Sequence, residues 1–360
     1  MHSARKILSR PADLLHAGII REEQLAGIAA VTRRYALALT SDLAELAAPD
    51  DPGDPITRQF IPAPAELDER PEEMTDPIGD SRHSPVAGVV HRYPDRVLLK
   101  PVHVCAAYCR FCFRREVVGR KRALSQSELA AAIGYIREHA EIWEVILTGG
   151  DPLLLSARRL QHITKKLAAI EHVKVVRVHT RIPLVDPERV TLSLVRALKT
   201  AGKATYVVLH VNHPREMSRK AGSACARLVD AGIPLLSQTV LLRNVNDDAT
   251  VLAELMRCLV ENRIKPYYLH HCDLAPGTAH WRTSIDEGQA LMRALRGRLS
   301  GLCQATYVLD IPGGYGKSPI GPGYLARVPS DGEGCRYEIE DFNGGWHSYP
   351  PVPSQSGSSR

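Results

Sequence analysis

VLLKPVHVCAAYCRFC, residues 97–112, joins two signals that between them decide how the chain is read. Residues 97–104 are an apolar, β-branched run of strand length. Directly after it, Cys105, Cys109 and Cys112 follow in the spacing CxxxCxxC. Iron–sulfur cubanes usually take four thiolates. Three clustered cysteines without an evident fourth leave one iron open, and an open iron can chelate a small molecule through an amine and a carboxylate. The methionine end of S-adenosylmethionine (SAM) offers that pair. The rival reading is a zinc site, but zinc knuckles use CxxC pairs and no second pair occurs.

Downstream of this stretch a rhythm sets in. Five further strand candidates, WEVILTG (143–149), VKVVRVHT (173–180), TYVVLHV (205–211), PLLSQTVLL (234–242) and KPYYLHH (265–271), alternate with amphipathic helical stretches. The repeat is about 30 residues, the length of one βα crossover unit. Near-continuous apolar strands between helices imply a parallel sheet covered by helices. Six units predict an α/β fold, a partial (β/α)6 TIM-like barrel over residues 97–283, with a doubly wound open sheet as the alternative. In either, chemistry belongs at the C-terminal ends of the strands.

Upstream, residues 1–50 read as a helical region, with Ser41-Asp42 as a cap for a second helix. The proline- and acid-rich residues 51–96 read as an extended surface connector. Residues 284–344 hold one more helix, a strand and a glycine-rich loop, and residues 345–360 read as a disordered tail.

The net charge of +6 is spread along the chain, and aromatic residues are few, which argues against nucleic-acid binding. With no apolar run of spanning length and no signal-peptide pattern, a cytoplasmic protein with no membrane partner is expected. Eight cysteines would allow disulfides, but a reducing compartment and a large core favour metal ligation by the clustered three.

Two further motifs carry chemistry. Gly149-Gly150-Asp151-Pro152 closes the second strand, where two glycines permit close backbone approach. Asp310-Ile-Pro-Gly-Gly-Tyr-Gly-Lys317 follows the late strand. A phosphate-binding P-loop would need glycine at Ile311 and a helix after Lys317, which Pro319 opposes. A lysine on a glycine-rich loop can instead condense with the aldehyde of pyridoxal 5′-phosphate (PLP), or simply be a surface lysine.

CxxxCxxC after a first barrel strand, with GGD closing the next, resembles the radical SAM superfamily. Over residues 10–330 the chain is similar to the lysine 2,3-aminomutase family, through HRYPDR (91–96), CRFCFRR (109–115), HVNHP (210–214), QTVLLRNVND (238–247), PYYLHHCDL (266–274) and DIPGGYGK (310–317). The resemblance implies a [4Fe–4S] cluster on the three cysteines, SAM and PLP. It implies SAM contacts from Gly149, Gly150 and Asp151, and from His210 and Gln238, for which ordinary polar packing is the alternative. It implies that Lys317 binds PLP, in a C-terminal PLP-binding extension. Arg92, Tyr93 and Arg96 match the segment facing PLP and its phosphate, or else form a structural ion-pair segment.

For the substrate, Arg114 matches the arginine that holds the amino acid's carboxylate. Asp273 and Asp310 match two carboxylates that hold the side-chain ammonium of lysine. The implied reaction moves the α-amino group of L-lysine from C2 to C3, giving β-lysine. The alternatives are another cationic amino acid such as arginine, or a radical SAM enzyme of a different reaction type. An electron donor such as flavodoxin or ferredoxin is implied, with no nucleic acid. Clostridial-type relatives carry zinc-binding cysteines that this chain lacks, Asp248 standing where one is expected. No structural zinc is therefore predicted, and a homodimer would have to be built otherwise. The short form resembles the bacterial branch that makes β-lysine for elongation factor P, a branch that often lacks the paired aspartates.

Overall fold

The computed structural model describes residues 7–119, 123–199, 202–329 and 335–351. Its centre is a nine-stranded sheet whose spatial order is the sequence order. The strands are β1 (Val89–Tyr93), β2 (Arg96–Val102), β3 (Glu144–Gly149), β4 (Val175–Thr180), β5 (Ala204–His210), β6 (Leu235–Val240), β7 (Ile264–His270), β8 (Thr306–Asp310) and β9 (Lys317–Pro319). Strands β2 to β8 pair parallel, each with the next, and β1 and β9 pair antiparallel at the two edges.

Every residue of β3 is buried, as a strand covered on both faces requires. Val97, Leu99, Val145, Leu147, Val176, Val178, Val207 and Leu209 join the helices in one continuous core. Those helices begin where their caps dictate. Ser125 and Glu128 form a capping box before Gln126–Glu138. Asp248, standing where relatives were expected to carry a cysteine, accepts hydrogen bonds from Thr250 N at 2.8 Å and Val251 N at 3.1 Å, and starts Ala249–Glu261.

The sheet curls. β1 and β9 are its opposite edges, yet Lys317 N donates to Tyr93 Oη at 2.7 Å across the gap between them. The partial barrel is therefore as expected, with one addition. The late strand, assigned to the C-terminal extension, enters the same sheet as its seventh parallel member, β8.

Three readings need correction. The N-terminal helical region holds three helices, Pro11–His16, Glu22–Arg34 and Ser41–Ala44, and the cap of the last is not Ser41-Asp42 but Thr40, whose Oγ1 accepts from Leu43 N at 3.3 Å. The connector is not merely extended: it forms a helix at Pro55–Phe60 and 3-10 turns at Pro64–Leu67 and Ser81–His83, then supplies edge strand β1. It also buries Glu66 and Asp80, because each meets cations of the barrel.

The expected tail begins too early. β10 (Leu325–Val328), β11 (Arg336–Glu340) and β12 (Trp346–Tyr349) form a separate antiparallel sheet. Its second turn is stabilised by Asp341, whose Oδ1 accepts from Asn343 N and Gly345 N. Residues 352–360 of that reading lie outside the described residues. No described helix is long and apolar enough to cross a membrane.

Candidate active site

The functional candidates gather at the C-terminal ends of the barrel strands, as parallel α/β architecture favours. Cys105 follows β2, Gly149 closes β3, His210 closes β5, His270 closes β7, and Asp310 closes β8. Lys317 opens β9, so the expected loop lysine sits at a strand end paired with Asp310.

The three cysteines line one small cavity, together with Tyr35, Tyr108 and Arg115. Burial pushes all three thiols up, Cys109 to about 11, and each feels its neighbours. Such thiols ionise when a metal supplies the compensating charge. Arg181 beside Cys105 and Cys109, and Arg114 and Arg115 beside Cys112, favour that ionisation. Among the described residues no three His, Cys, Asp or Glu side chains close on a single ion. A cubane asks for something else, since each thiolate takes its own iron. The residues present fit a cluster held by three cysteines.

What fixes this loop was invisible in the motif. Arg110 is fully buried and reaches Glu66 through Nε at 3.0 Å and Nη2 at 2.7 Å. Arg115 pairs with the same carboxylate. Arg110 N also donates to Gln59 O at 2.8 Å, so the connector clamps the loop from below.

Gly149 and Gly150 are needed for backbone contact within the protein. Gly149 has φ +111°, and a Cβ on Gly150 would fall 2.2 Å from Val104 O. Gly150 N and Asp151 N donate to Val102 O and Val104 O, tying β3 to the segment that launches Cys105. The carboxylate of Asp151 accepts from Thr180 Oγ1, Leu153 N and Arg181 N, at 2.7–3.0 Å, which ties it to the end of β4. His210 and Gln238 are register partners on β5 and β6. His210 Nε2 is buried and unpartnered, while its ring meets Phe111 edge-on at 5.8 Å. A buried imidazole nitrogen without a partner is costly unless a ligand completes it.

Around Lys317 the loop is packed rather than loose. Gly313, Gly314 and Gly316 have φ of +83°, +89° and +94°. Gly314 O approaches His83 Nε2 at 2.9 Å, and Arg82 donates to Gly313 O at 2.7 Å. Lys317 Nζ lies 2.6 and 2.7 Å from the two oxygens of Asp310. Of the expected phosphate-facing residues, Arg92 is inward, pairing with Asp80 at 3.3 Å and leaving Nε buried and unpartnered. Tyr93 positions Lys317 through its backbone. Arg96 stacks on Tyr93 at 3.9 Å and pairs with Asp95. A lysine, an inward arginine with a free donor and a glycine-lined approach fit PLP.

Asp80 was not anticipated, because a lone aspartate in a proline-rich segment carries no periodic signal. It gathers Arg114 at 2.9 Å, Arg92 at 3.3 Å and Lys100 at 3.4 Å. Burial would raise its pKa, but Arg114 and Lys100 hold it down at about 2. Three cations thus share the Asp80 carboxylate, and two further buried carboxyls lie nearby: Asp273, on which Arg114 and Arg92 act, and Asp310, which holds Lys317. Burial and then the nearby Asp310 push Asp273 up to about 7, while burial is outweighed at Asp310 by His270 and Lys317, which hold it low.

The sequence profile of the Radical SAM superfamily matches residues 99–256, the cysteine loop and most of the parallel sheet. The L-lysine 2,3-aminomutase of Clostridium subterminale is 41% identical over 313 residues, 87% of this chain and 75% of that protein.

The chain belongs to the lysine 2,3-aminomutase family.

The L-lysine 2,3-aminomutase of Escherichia coli is 34% identical over 87% of this chain and 92% of its own length. The glutamate 2,3-aminomutase of Clostridioides difficile is 37% identical over 84% and 71%. Lysine 2,3-aminomutase family membership makes this chain a radical SAM aminomutase, an isomerase, and implies a [4Fe–4S] cluster, SAM and PLP.

Proposed function

We propose that the protein is a PLP-dependent 2,3-aminomutase that converts L-lysine to β-lysine. The observation that carries this reading is a buried arginine that shares its site with two buried carboxyls. Arg114, held on Asp80 beside Lys100 and Arg92, acts on Asp273, which Asp310 also neighbours. That arrangement suits an amino acid with a carboxylate at one end and a cation at the other. A glutamate side chain would have to sit beside two carboxylates, which repel it.

In this reading Cys105, Cys109 and Cys112 hold the cluster, and Lys317 holds PLP with Arg92 and Tyr93 around it. When bound, the cluster with SAM supplies a hydrogen-abstracting radical, and PLP supplies the conjugated carbon to which the migrating nitrogen is attached. The protein's own residues do the rest. Arg114 fixes the substrate carboxylate, and Asp273 and Asp310 fix the side-chain ammonium, so that one C–H is presented to the radical. Residues 97–283 serve as the barrel and 284–344 as the part that completes it over PLP. An external one-electron donor, a flavodoxin or ferredoxin, is required to reduce the cluster.

The test is direct. Anaerobically reconstituted protein with SAM, PLP, dithionite and L-lysine is expected to yield β-lysine by mass spectrometry, and Lys317→Ala none. SAM cleavage without β-lysine would overturn the reading in favour of a different radical reaction.

A further inference from the structure

Arg181 is the first residue after β4, and its side chain is buried. Nη1 donates to Glu216 Oε2 at 2.9 Å, while Nε and Nη2 are buried with no hydrogen-bond partner. Those two nitrogens form one edge of the guanidinium, an edge that arginine uses for paired, parallel bonds. Arg110 uses the same edge on Glu66. A guanidinium cannot escape burial by shedding its proton, as an imidazole can. A charged donor edge without an acceptor is therefore among the costliest groups a core can hold.

Neither carboxylate that touches Arg181 serves this edge. Asp151 is bonded to the backbone N–H of Arg181, not to its side chain. Glu216 is fully buried, and its other oxygen accepts from Asn212 N, His213 N and Gln59 Nε2. What the guanidinium packs on is the cysteine loop. Its carbon lies 5.7 Å from the ring of Phe111, the residue between Cys109 and Cys112, and 5.0 Å from that of Phe60. Cys109 packs against the same Phe111 ring. Arg181 is also the cation that favours ionisation of both Cys105 and Cys109. Sulfur of a cluster bound there, thiolate or inorganic sulfide, is an anionic acceptor of the kind the edge lacks.

We propose that Arg181 is a cofactor-binding residue, whose Nε and Nη2 donate to cluster sulfur on the Cys105–Cys109 side and so raise the cluster's reduction potential. The physical basis is that reduction adds one electron, taken from the external donor, and N–H donors stabilise the added negative charge. This rests on the reading that Cys105, Cys109 and Cys112 hold the cluster, and names a residue that sets how readily it is reduced.

The test is a redox titration, followed by electron paramagnetic resonance, of anaerobically reconstituted, PLP-loaded protein without SAM. Wild type is compared with the double variant Arg181→Met, Glu216→Gln, which removes the donors without stranding the Glu216 charge. The double variant is expected to be harder to reduce by roughly tenfold, about 59 mV for a one-electron couple. In wild type carrying 15N-arginine, the reduced cluster should show a 15N coupling that disappears in Arg181→Lys, which keeps the charge opposite Glu216. An unchanged potential, or a coupling that survives in Arg181→Lys, overturns the proposal. A shift that appears only after SAM is added also overturns it, since the donors then serve the nucleotide. Should the double variant retain no iron, the wild-type spectrum still decides, because absence of any arginine 15N coupling overturns the proposal by itself. All of these outcomes leave the aminomutase reading intact, whereas wild type without a four-iron signal overturns the assignment of the cysteines.

Discussion

Lys317 Nζ is bonded to both carboxylate oxygens of Asp310, at 2.6 and 2.7 Å. The lysine expected to take PLP and the aspartate expected to take the substrate's ammonium are therefore partners of each other. Asp310 is free for a substrate only once Lys317 has been drawn away.

Lys317→Ala should thus have two opposite effects. The variant is expected to lose the PLP absorbance band entirely. In the cofactor-free protein, however, it should bind L-lysine more tightly than wild type, by about tenfold, because Asp310 is no longer occupied. Absorbance and calorimetry on the same preparations check both.

Asp80→Asn should remove an acid-sensitive share of stability. The folded protein holds this carboxyl at about 2, below its ordinary 3.8. A lowered carboxylate stabilises the fold above its ordinary value, and that contribution fades as pH falls from about 4 to about 2. It amounts to roughly 2 kcal/mol. Denaturant midpoints should separate wild type from variant at pH 6 and converge near pH 2. The variant's KM for lysine should also rise, since Arg114 loses its 2.9 Å partner.

Asp273→Asn should go the other way. Burial and Asp310 raise Asp273 to about 7, so the folded state holds its proton more tightly than the unfolded chain. That costs stability as pH rises from about 4 through 7. The variant is expected to be more stable than wild type at pH 8, by about 1–3 kcal/mol, and to bind lysine at least tenfold more weakly. Thermal melts and calorimetry at pH 6 and pH 8 test the pair of effects.

Glu66→Gln should cost about 3–5 kcal/mol, because Arg110 and Arg115 would be left buried without a counter-charge. Since these arginines lie within and just after the cysteine loop, the variant should also retain less iron after anaerobic reconstitution. Urea midpoints and iron content are the measurements.

Cys105→Ala, Cys109→Ala and Cys112→Ala should each abolish the four-iron absorbance, whereas Cys335→Ala, at an exposed position in the second sheet region, should leave it unchanged. Iron and sulfide analysis of the four reconstituted variants distinguishes them.

The parallel barrel was legible because buried strands such as β3 are apolar on both faces, and that signal is local. β12 was missed because Trp346–Tyr349 is exposed throughout and has no apolar run to announce it. Asp151 illustrates the limit at the site. GGD was readable as a motif, but that Thr180 and Arg181 N take up its carboxylate depends on the register of β4. Lys100 and His270 sit within strands whose pattern marks them only as interior or exterior.

The sequence by itself determined the alternation of strands and helices, the cysteine triplet and the glycine-borne lysine, since each depends on neighbours a few residues apart. Only the tertiary structure decided that Glu66 clamps the cysteine loop, that Asp80 gathers three cations, and that Lys317 rests on Asp310 beside His270. The physical reason is that a buried charge is tolerated only where opposite charges converge on it. That convergence is made by the curl of the sheet, which brings together residues that the chain keeps far apart.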